Sequence, residues 1–195
     1  MISQTLEQPI PLPEQRFLLP GYYSWSEFET IDAVVGDCRS LRITYLDGCI
    51  ELMTVGEKHE MLKKVLAILL ETYLFATGIN FTPIGSGTRR SKEKDVSFEP
   101  DESYYIGEKK EHPDLAIEVN ITSGSIDKLQ KYQRLQITEV WFWEDCTLAL
   151  YRLRDEGYVK VDSSELLPDL NISLLIDCIL KPSVIEARQE FLKGI

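Results

Sequence analysis

"HPDLAIEVNITSGSIDKLQKY", residues 112–132, predicts a strand, a turn of small residues and a helix that carries lysines. Leu115, Ile117 and Val119 share one side of that strand, because successive side chains of a strand point to opposite faces. Glu118 lies on the other side and points away from one packed layer. An acid within so apolar a strand needs a partner, and the neighbouring segments offer candidates.

The preceding segment, "PDESYYI", predicts a second strand that ends in a polar connection at residues 108–111. If the two strands form a tight hairpin that is symmetric about this connection, Asp101 lies opposite Glu118, with the two Cβ atoms about 5 Å apart. Like charges placed opposite each other destabilise a sheet, so such a pair needs a cation. Asp114 cannot share that cation, because four residues along a strand separate it from Glu118 by roughly 13 Å.

A divalent cation suits the acid pair. Mg²⁺ prefers oxygen ligands and commonly binds one or two carboxylates, waters and a substrate phosphate, so Asp101 and Glu118 are candidate ligands of Mg²⁺ or Mn²⁺. Ser125 is a candidate N-cap, which would place Lys128 in the first helical turn near the end of the Glu118 strand. Its ammonium can stabilise charge on a phosphate oxygen or orient a metal-held water. The alternative is that Lys128 and Lys131 only solvate a helix face.

Turn, cap and periodicity signals predict the remaining elements. Ser24 begins a helix, Asp47-Gly48 joins two antiparallel strands, and Gly78 ends a long helix that starts at Glu57. The aromatic run Trp141-Phe142-Trp143 is expected in the core rather than as a surface for stacking bases. Further strands are expected in "INFTPIGSGT", Lys94–Phe98, Asp101–Ile106, Asp114–Asn120, "EVWFWED", "LALYRLR" and "YVKVD", with helices at Ser125–Gln136 and from Leu175 around Pro182.

Composition predicts one folded domain. The 195 residues are 44% hydrophobic, which is enough for one substantial core. Residues 1–20, with four prolines and little periodicity, predict an arm that lies on the surface or is partly disordered, and residues 21–195 a single domain. Neither a membrane span nor a secretion signal is recognised, so a cytoplasmic protein is expected. The four cysteines contain no C-x-x-C pair, which argues against a zinc knuckle and favours reduced, mostly buried thiols.

The charge limits the ways in which this chain can bind nucleic acid. Its formal net charge is −11, whereas a protein that binds DNA through phosphates is usually basic on at least one face. Any nucleic-acid function must therefore rest on a local basic strip or on metal ions. The richest basic stretch, Arg89 to Lys94, is expected to be a solvated loop.

Four motifs in order, "FEPDESYYIG", "HPDLAIEV", "TSGSIDKLQKY" and "TEVWFW", resemble the Uma-two family of restriction endonucleases, part of the PD-(D/E)XK nuclease superfamily. The likeness extends from about residue 20 to residue 180 of the chain. It implies an α/β (α+β) fold with a restriction-endonuclease-like core, in which helices flank both sides of a mixed, mostly antiparallel central sheet.

The resemblance also implies roles for individual residues. Asp101 and Glu118 match the metal-binding acids of the family, and Lys128 matches its lysine. His59 matches a histidine at the start of the family's long helix, and Tyr132 matches a tyrosine of its lysine-bearing helix. The usual lysine of the superfamily lies two residues after the glutamate, where this chain has an asparagine. The resemblance implies that the lysine has moved to the helix. The accessory residues are His59, Glu60, Asn120 and Tyr132.

The implied activity is Mg²⁺-dependent hydrolysis of phosphodiester bonds in DNA. One alternative is a catalytically degenerate nuclease fold that acts as a nucleic-acid-binding module. Another is an oligomeric interaction protein whose exposed aromatic residues pair subunits. A homodimer is compatible with the nuclease hypothesis, because nucleases that cut both strands often pair.

Overall fold

The computed structural model describes residues 14–36, 38, 41–120 and 128–195. Within these residues the chain forms two β-sheets, of five and six strands, and five helices. No described helix is long and apolar enough to cross a membrane.

Strands outnumber helices along the chain, and most helices lie between groups of strands. In chain order the elements are β1 (Gln15–Leu18), α1 (Trp25–Val35), β2 (Leu41–Leu46), β3 (Cys49–Thr54), α2 (Glu57–Thr77), β4 (Phe81–Pro83), β5 (Arg89–Ser91), β6 (Val96–Phe98), β7 (Glu102–Ile106), β8 (Leu115–Val119), α3 (Lys128–Arg134), β9 (Glu139–Glu144), β10 (Thr147–Arg154), β11 (Gly157–Val161), α4 (Ile172–Ile179) and α5 (Val184–Lys193).

The sheets have the strand orders β1-β3-β2-β6-β5 and β11-β10-β9-β8-β7-β4. Strands β8 and β9 are parallel, and the other described pairs are antiparallel. The α+β class and the mixed, mostly antiparallel pairing are therefore confirmed, but the strands divide between two sheets instead of forming one. The chain changes sheets between β6 and β7 at Pro100, which has no backbone N–H to continue a ladder.

Three local signals that were read from the sequence are confirmed, at Ser24, Asp47-Gly48 and Gly78. Ser24 caps α1 in a capping box, in which its side chain accepts from the Glu27 amide and its own amide donates to the Glu27 carboxylate. Asp47 and Gly48 both have positive φ, 48° and 83°, as a two-residue hairpin turn of the primed type requires. Gly78 ends α2 in the left-handed conformation.

Strand β8 is buried on both faces. Its Leu115, Ile117 and Val119 pack in a core against α2, α4 and α5, whereas Ala116 packs in a second core with α3 and β6. A strand with both faces covered and a parallel neighbour is typically rich in apolar residues, as this one is. The run Trp141-Phe142-Trp143 on β9 is buried as expected, with the two tryptophans in the first core and the phenylalanine in the second.

The register between β7 and β8 is the one that the symmetric hairpin predicted. Glu102 pairs with Ile117, and Tyr104 pairs with Leu115. The amide of Asp101 donates to the carbonyl of Ile117 at 3.1 Å, so the chain continues alongside β8 beyond the last ladder pair. This register brings Asp101 to the level of Glu118.

Two segments have more regular structure than the sequence suggested. Within the expected arm, Gln15–Leu18 forms β1, an edge strand that pairs with β3. Within the expected basic loop, Arg89–Ser91 forms β5 and pairs with β6. The Arg90 guanidinium lies over the rings of Trp25 and Phe28 in α1. This packing against a distant helix fixes β5, and the local sequence could not predict it.

All four cysteines are thiols, but the expectation that most are buried is wrong: Cys178 is buried, Cys49 is half-buried, and Cys38 and Cys146 are exposed. Cys146 has positive φ in the turn between β9 and β10, where the chain must reach the surface. Helix α3 is described from Lys128. The N-cap that was predicted at Ser125, and the turn before it, lie outside the described residues.

The motif Glu-x-Trp in β9 has a structural explanation. The buried carboxylate of Glu139 accepts from the indole N–H of Trp141 at 3.0 Å and from the Ser164 hydroxyl at 2.7 Å. Its other oxygen accepts from the amides of Glu165 and Leu166 at 2.7 and 3.0 Å. One side chain thus connects the beginning of β9 to the segment that leads into α4.

We expect Glu139→Gln to lower the free energy of unfolding by about 3 kcal/mol, because the new amide group turns a donor toward groups that already donate. The measurement is urea unfolding followed by tryptophan fluorescence. Glu156→Gln is the matched control, since Glu156 lies exposed in the turn between β10 and β11. A loss below about 1 kcal/mol for Glu139→Gln would contradict the assignment of a structural anchor.

Candidate active site

Asp101 is fully buried where the chain passes from one sheet to the other. Its Oδ2 accepts from the Val119 amide at 2.7 Å, and its Oδ1 accepts from Nε2 of His59 at 2.8 Å and from the Arg42 guanidinium. Burial alone would raise the pKa of Asp101, but the hydrogen bond from His59 and the charge of Arg42 outweigh burial and hold it below its ordinary value. Asp101 is therefore an ionised, oriented carboxylate.

His59, at the start of α2, joins two carboxylates. Its Nε2 meets Asp101, and its Nδ1 lies 2.9 Å from Oε2 of Glu14, just before β1. Burial lowers the pKa of His59, but the two carboxylates raise it further, to about 9. The ring is thus protonated at neutral pH and donates from both nitrogens. Both ring nitrogens face carboxylates, so His59 orients the Asp101 side chain.

Glu118 points to the face of β8 that is covered by α3. Its Oε1 accepts from Nζ of Lys131 at 2.8 Å and from the Tyr132 hydroxyl. Burial, followed by the charge of Glu118, keeps the pKa of Tyr132 far above its usual value, so the hydroxyl remains a donor. Two successive residues of α3 therefore orient this carboxylate.

Lys128 contacts Asn120 rather than Glu118. Its Nζ donates to Oδ1 of Asn120 at 2.5 Å, just beyond the end of β8. Arg16 of β1 donates to the same oxygen at 3.2 Å. Burial, and then the nearby charge of Arg16, lower the pKa of Lys128 to about 8. Two cations thus meet at one neutral amide oxygen.

Arg42 of β2 connects the acids electrostatically. Burial disfavours its charge, but Asp101, Glu118 and Glu60 hold its pKa above the ordinary value. Glu60 lies 3.5 Å from the Arg42 guanidinium and 2.5 Å from Nζ of Lys63, and its side chain is partly exposed. Glu60 therefore joins the cluster through Arg42, at its rim.

Two surface depressions adjoin this cluster. One cavity of about 190 Å³ lies between the β1-β3-β2 side of the five-stranded sheet and α3, and it is lined by both Lys128 and Lys131. The other, of about 300 Å³, includes Arg42, Glu60 and Lys63 in its lining. Side chains of the cluster thus reach solvent on two sides, even though Asp101 and Glu118 themselves are buried.

The oxygen donors fit a hard cation such as Mg²⁺ better than a soft one. Among the described residues no group of three or more His, Cys, Asp or Glu side chains is disposed to hold a metal. The residues that would hold such an ion are Asp101 and Glu118, and water and substrate would supply its further ligands. In this arrangement Arg42 neutralises Asp101 and Lys131 neutralises Glu118.

The cluster contains every residue that the sequence proposed for the site, but with different contacts. Asp101, just before β7, lies at the level of Glu118 on β8. His59 and Tyr132 each hold one of these acids, and Lys128 binds Asn120. Their roles in chemistry remain predictions. As expected, Asp114 lies apart, since its carboxylate accepts from Lys110 and from the Ile106 amide.

Sequence reasoning missed four residues of the cluster: Glu14, Arg16, Arg42 and Lys131. A signal existed for Lys131, because it follows Lys128 by three residues and therefore shares its helix face. Arg42 alternates with the buried Ile43 along β2 and so had to face the other side of that sheet. Nothing local marked Glu14 or Arg16, whose positions follow from the pairing of β1 with β3.

We expect the stabilising contribution of His59 to depend on pH. Since the folded-state pKa is about 9 and the ordinary value 6.5, the contribution is complete below pH 6.5 and is lost as the pH rises through 9. The wild-type protein should have a higher free energy of unfolding than His59→Gln. This difference should be larger at pH 6 than at pH 10 by roughly 3 kcal/mol. The measurement is urea unfolding of both proteins in EDTA.

His112→Gln is the matched control. Burial lowers the pKa of His112, so its contribution is present above pH 6.5 and falls at lower pH, the opposite direction. A difference between the wild-type protein and His59→Gln that stays constant from pH 6 to pH 10 would rule out the protonated bridge.

Comparison with known proteins places the chain. The model of the Uma2 family, described as "Putative restriction endonuclease", matches residues 25–179. This region covers α1 through α4 and so includes both acids, His59, Arg42 and the whole of α3. No curated protein matches the chain. The chain belongs to the Uma2 family, as the four motifs of its sequence indicated.

Proposed function

We propose that this protein is a metal-dependent endonuclease that hydrolyses phosphodiester bonds in DNA. The family supports a nuclease role. The observation that carries the proposal is the pair of buried carboxylates, Asp101 and Glu118, at one level of neighbouring strands and beside a helix that presents two lysines. Acids with the same charge, held together in a sheet, are costly unless cations reside with them.

In this proposal Asp101 and Glu118 hold Mg²⁺ or Mn²⁺. The ion would lower the pKa of an attacking water and offset negative charge on the phosphate. The protein supplies orientation: His59 and the Val119 amide fix Asp101, while Lys131 and Tyr132 fix Glu118. The ammonium of Lys128 binds a non-bridging phosphate oxygen and offsets the charge that develops there.

The local charge supports an anionic substrate in spite of the net charge of −11. Cations from β1, β2, α2 and α3 converge on the cluster, and two of them line the cavity beside α3. A strand of nucleic acid would meet these groups rather than the acidic remainder of the surface.

One observation favours a second candidate, a nucleic-acid-binding protein whose catalytic power has decayed. Arg42 and Lys131 already neutralise the two acids, so the cluster is balanced by protein charges alone. In that case the protein binds DNA with the same affinity in EDTA as in Mg²⁺, and it cleaves no substrate. A homodimer is compatible with both candidates.

We expect Asp101→Asn and Glu118→Gln each to reduce plasmid nicking in Mg²⁺ or Mn²⁺ at least about a hundredfold, because each removes a metal-binding charge. The assay follows conversion of supercoiled plasmid to open-circular and linear forms. Asp114→Asn is the matched control, a buried acid of the same sheet whose carboxylate is bound by Lys110, and it should retain activity.

Wild-type nicking that persists in EDTA would overturn the metal dependence. Absence of nicking by the wild-type protein on plasmid, combined with metal-independent binding, would favour the decayed nuclease.

We expect replacement of either lysine of α3 to reduce nicking, but only replacement of Lys131 to lower the free energy of unfolding. Both Lys128→Met and Lys131→Met should reduce nicking at least about a hundredfold. Lys131→Met should also lower the free energy of unfolding by about 3 kcal/mol, because it leaves the buried Glu118 without its cation. Lys128→Met should not, since its partner is a neutral amide.

The control for this comparison is Lys160→Met, on the exposed side of β11. Urea unfolding and plasmid nicking are measured on all three variants. Equal loss of stability for Lys128→Met and Lys131→Met would refute the separate roles.

A further inference from the structure

The family match begins at residue 25, yet β1, which precedes it, contributes to the cluster. Arg16 of this strand is the contact: its guanidinium donates to Oδ1 of Asn120 at 3.2 Å. Asn120 follows β8 two residues after Glu118. An N-terminal segment outside the matched region thus reaches the end of the strand that carries the candidate metal ligand.

The bonding of Arg16 is incomplete. One nitrogen of its guanidinium lies 3.2 Å from Oε1 of Glu51, and another lies 3.5 Å from Glu14 and 3.2 Å from Asn120. Its Nε is buried and has no hydrogen-bond partner among the described residues. A buried donor without an acceptor is costly, so Arg16 retains hydrogen-bonding capacity that its present partners do not use.

Lys128 places a second cation at the same point. Its Nζ and the Arg16 guanidinium both donate to the single Oδ1 of Asn120. Like charges repel, so Arg16 adds to the effect of burial, which is the larger cause of the lowered pKa of Lys128. A neutral amide oxygen is weak compensation for two cations, whereas an anion with several oxygens would satisfy both.

We propose that Arg16 and Lys128, with Asn120 between them, bind a phosphate of the nucleic-acid backbone, so that β1 forms part of the substrate site. The inference rests on the proposed nuclease function and adds a residue to it. The planar fork of Arg16 suits two phosphate oxygens, and Lys128 supplies a point charge to a third. The amide of Asn120 holds both cations in place until the phosphate arrives.

A purely structural role for Arg16 makes a different prediction. Its salt bridges to Glu51 and Glu14 would then only hold β1 against the rest of the protein. Loss of Arg16 and loss of Glu51 would both loosen β1 and would change DNA affinity in the same direction. In a phosphate site, Glu51 instead competes with substrate for the guanidinium. Loss of Arg16 and loss of Glu51 must therefore change affinity with opposite signs.

The test is the affinity of the full chain for a fluorescein-labelled DNA duplex, measured by anisotropy in Ca²⁺ over a range of salt concentrations. We expect Arg16→Gln to weaken binding about tenfold and to lower the slope of log affinity against log salt by about one, as loss of one phosphate contact does. Glu51→Gln should tighten binding. Arg154→Gln, an exposed arginine bound to Glu165, should leave affinity and slope unchanged.

The outcomes separate this inference from the proposed function. If the wild-type protein binds the duplex and Arg16→Gln binds it with the same affinity and the same salt slope, the role of Arg16 is overturned and the nuclease proposal stands. Weaker binding by both Arg16→Gln and Glu51→Gln would assign Arg16 to structure alone. No binding by the wild-type protein would overturn both proposals.

Two further arms complete the design. If Arg16→Gln does not fold, Arg16→Lys replaces it: the charge is kept, so the salt slope should be retained while affinity falls. Inorganic phosphate is tested alone by thermal denaturation. A rise in melting temperature with phosphate that is lost in Arg16→Gln, without any binding of duplex, would assign the site to free phosphate and overturn its role in nucleic-acid binding.

Discussion

The buried carboxylate of Asp101 is the interaction on which the rest of the site depends. It accepts from β8 through the Val119 amide, from α2 through His59 and from β2 through Arg42. Arg42 belongs to the five-stranded sheet, whereas Val119 belongs to the six-stranded sheet, so one acid joins both. A charge without water is stable only when several partners compensate it, and here those partners come from three different elements.

The same principle accounts for the second acid and for the helix that covers it. Glu118 is acceptable inside a buried strand because Lys131 and Tyr132 meet it from α3. The position two residues later, Asn120, holds a neutral side chain at the end of the same strand. Its amide oxygen accepts from Arg16 of β1 and from Lys128 of α3, so two other elements bring positive charge to this end of β8.

Much of the framework could be predicted because its signals are local. The turn at Asp47-Gly48 and the cap at Ser24 depend on a few adjacent residues, and the pairing of Asp101 with the level of Glu118 followed from one short polar connection. The division into two sheets depends on which distant strands pair, and this pairing cannot be predicted from any single segment of the sequence. Arg42 and Glu14 were missed for this reason: their partners lie 59 and 45 residues away.

The wide separation of those partners has a consequence for the timing of any activity. The groups that bind the Asp101 carboxylate come from positions 42, 59 and 119, and Glu118 is held from positions 131 and 132. A chain that is still emerging from the ribosome therefore lacks an assembled centre until two thirds of its length has been made and both sheets have closed. The nuclease proposed above would therefore lack its centre during at least the first two thirds of its own synthesis.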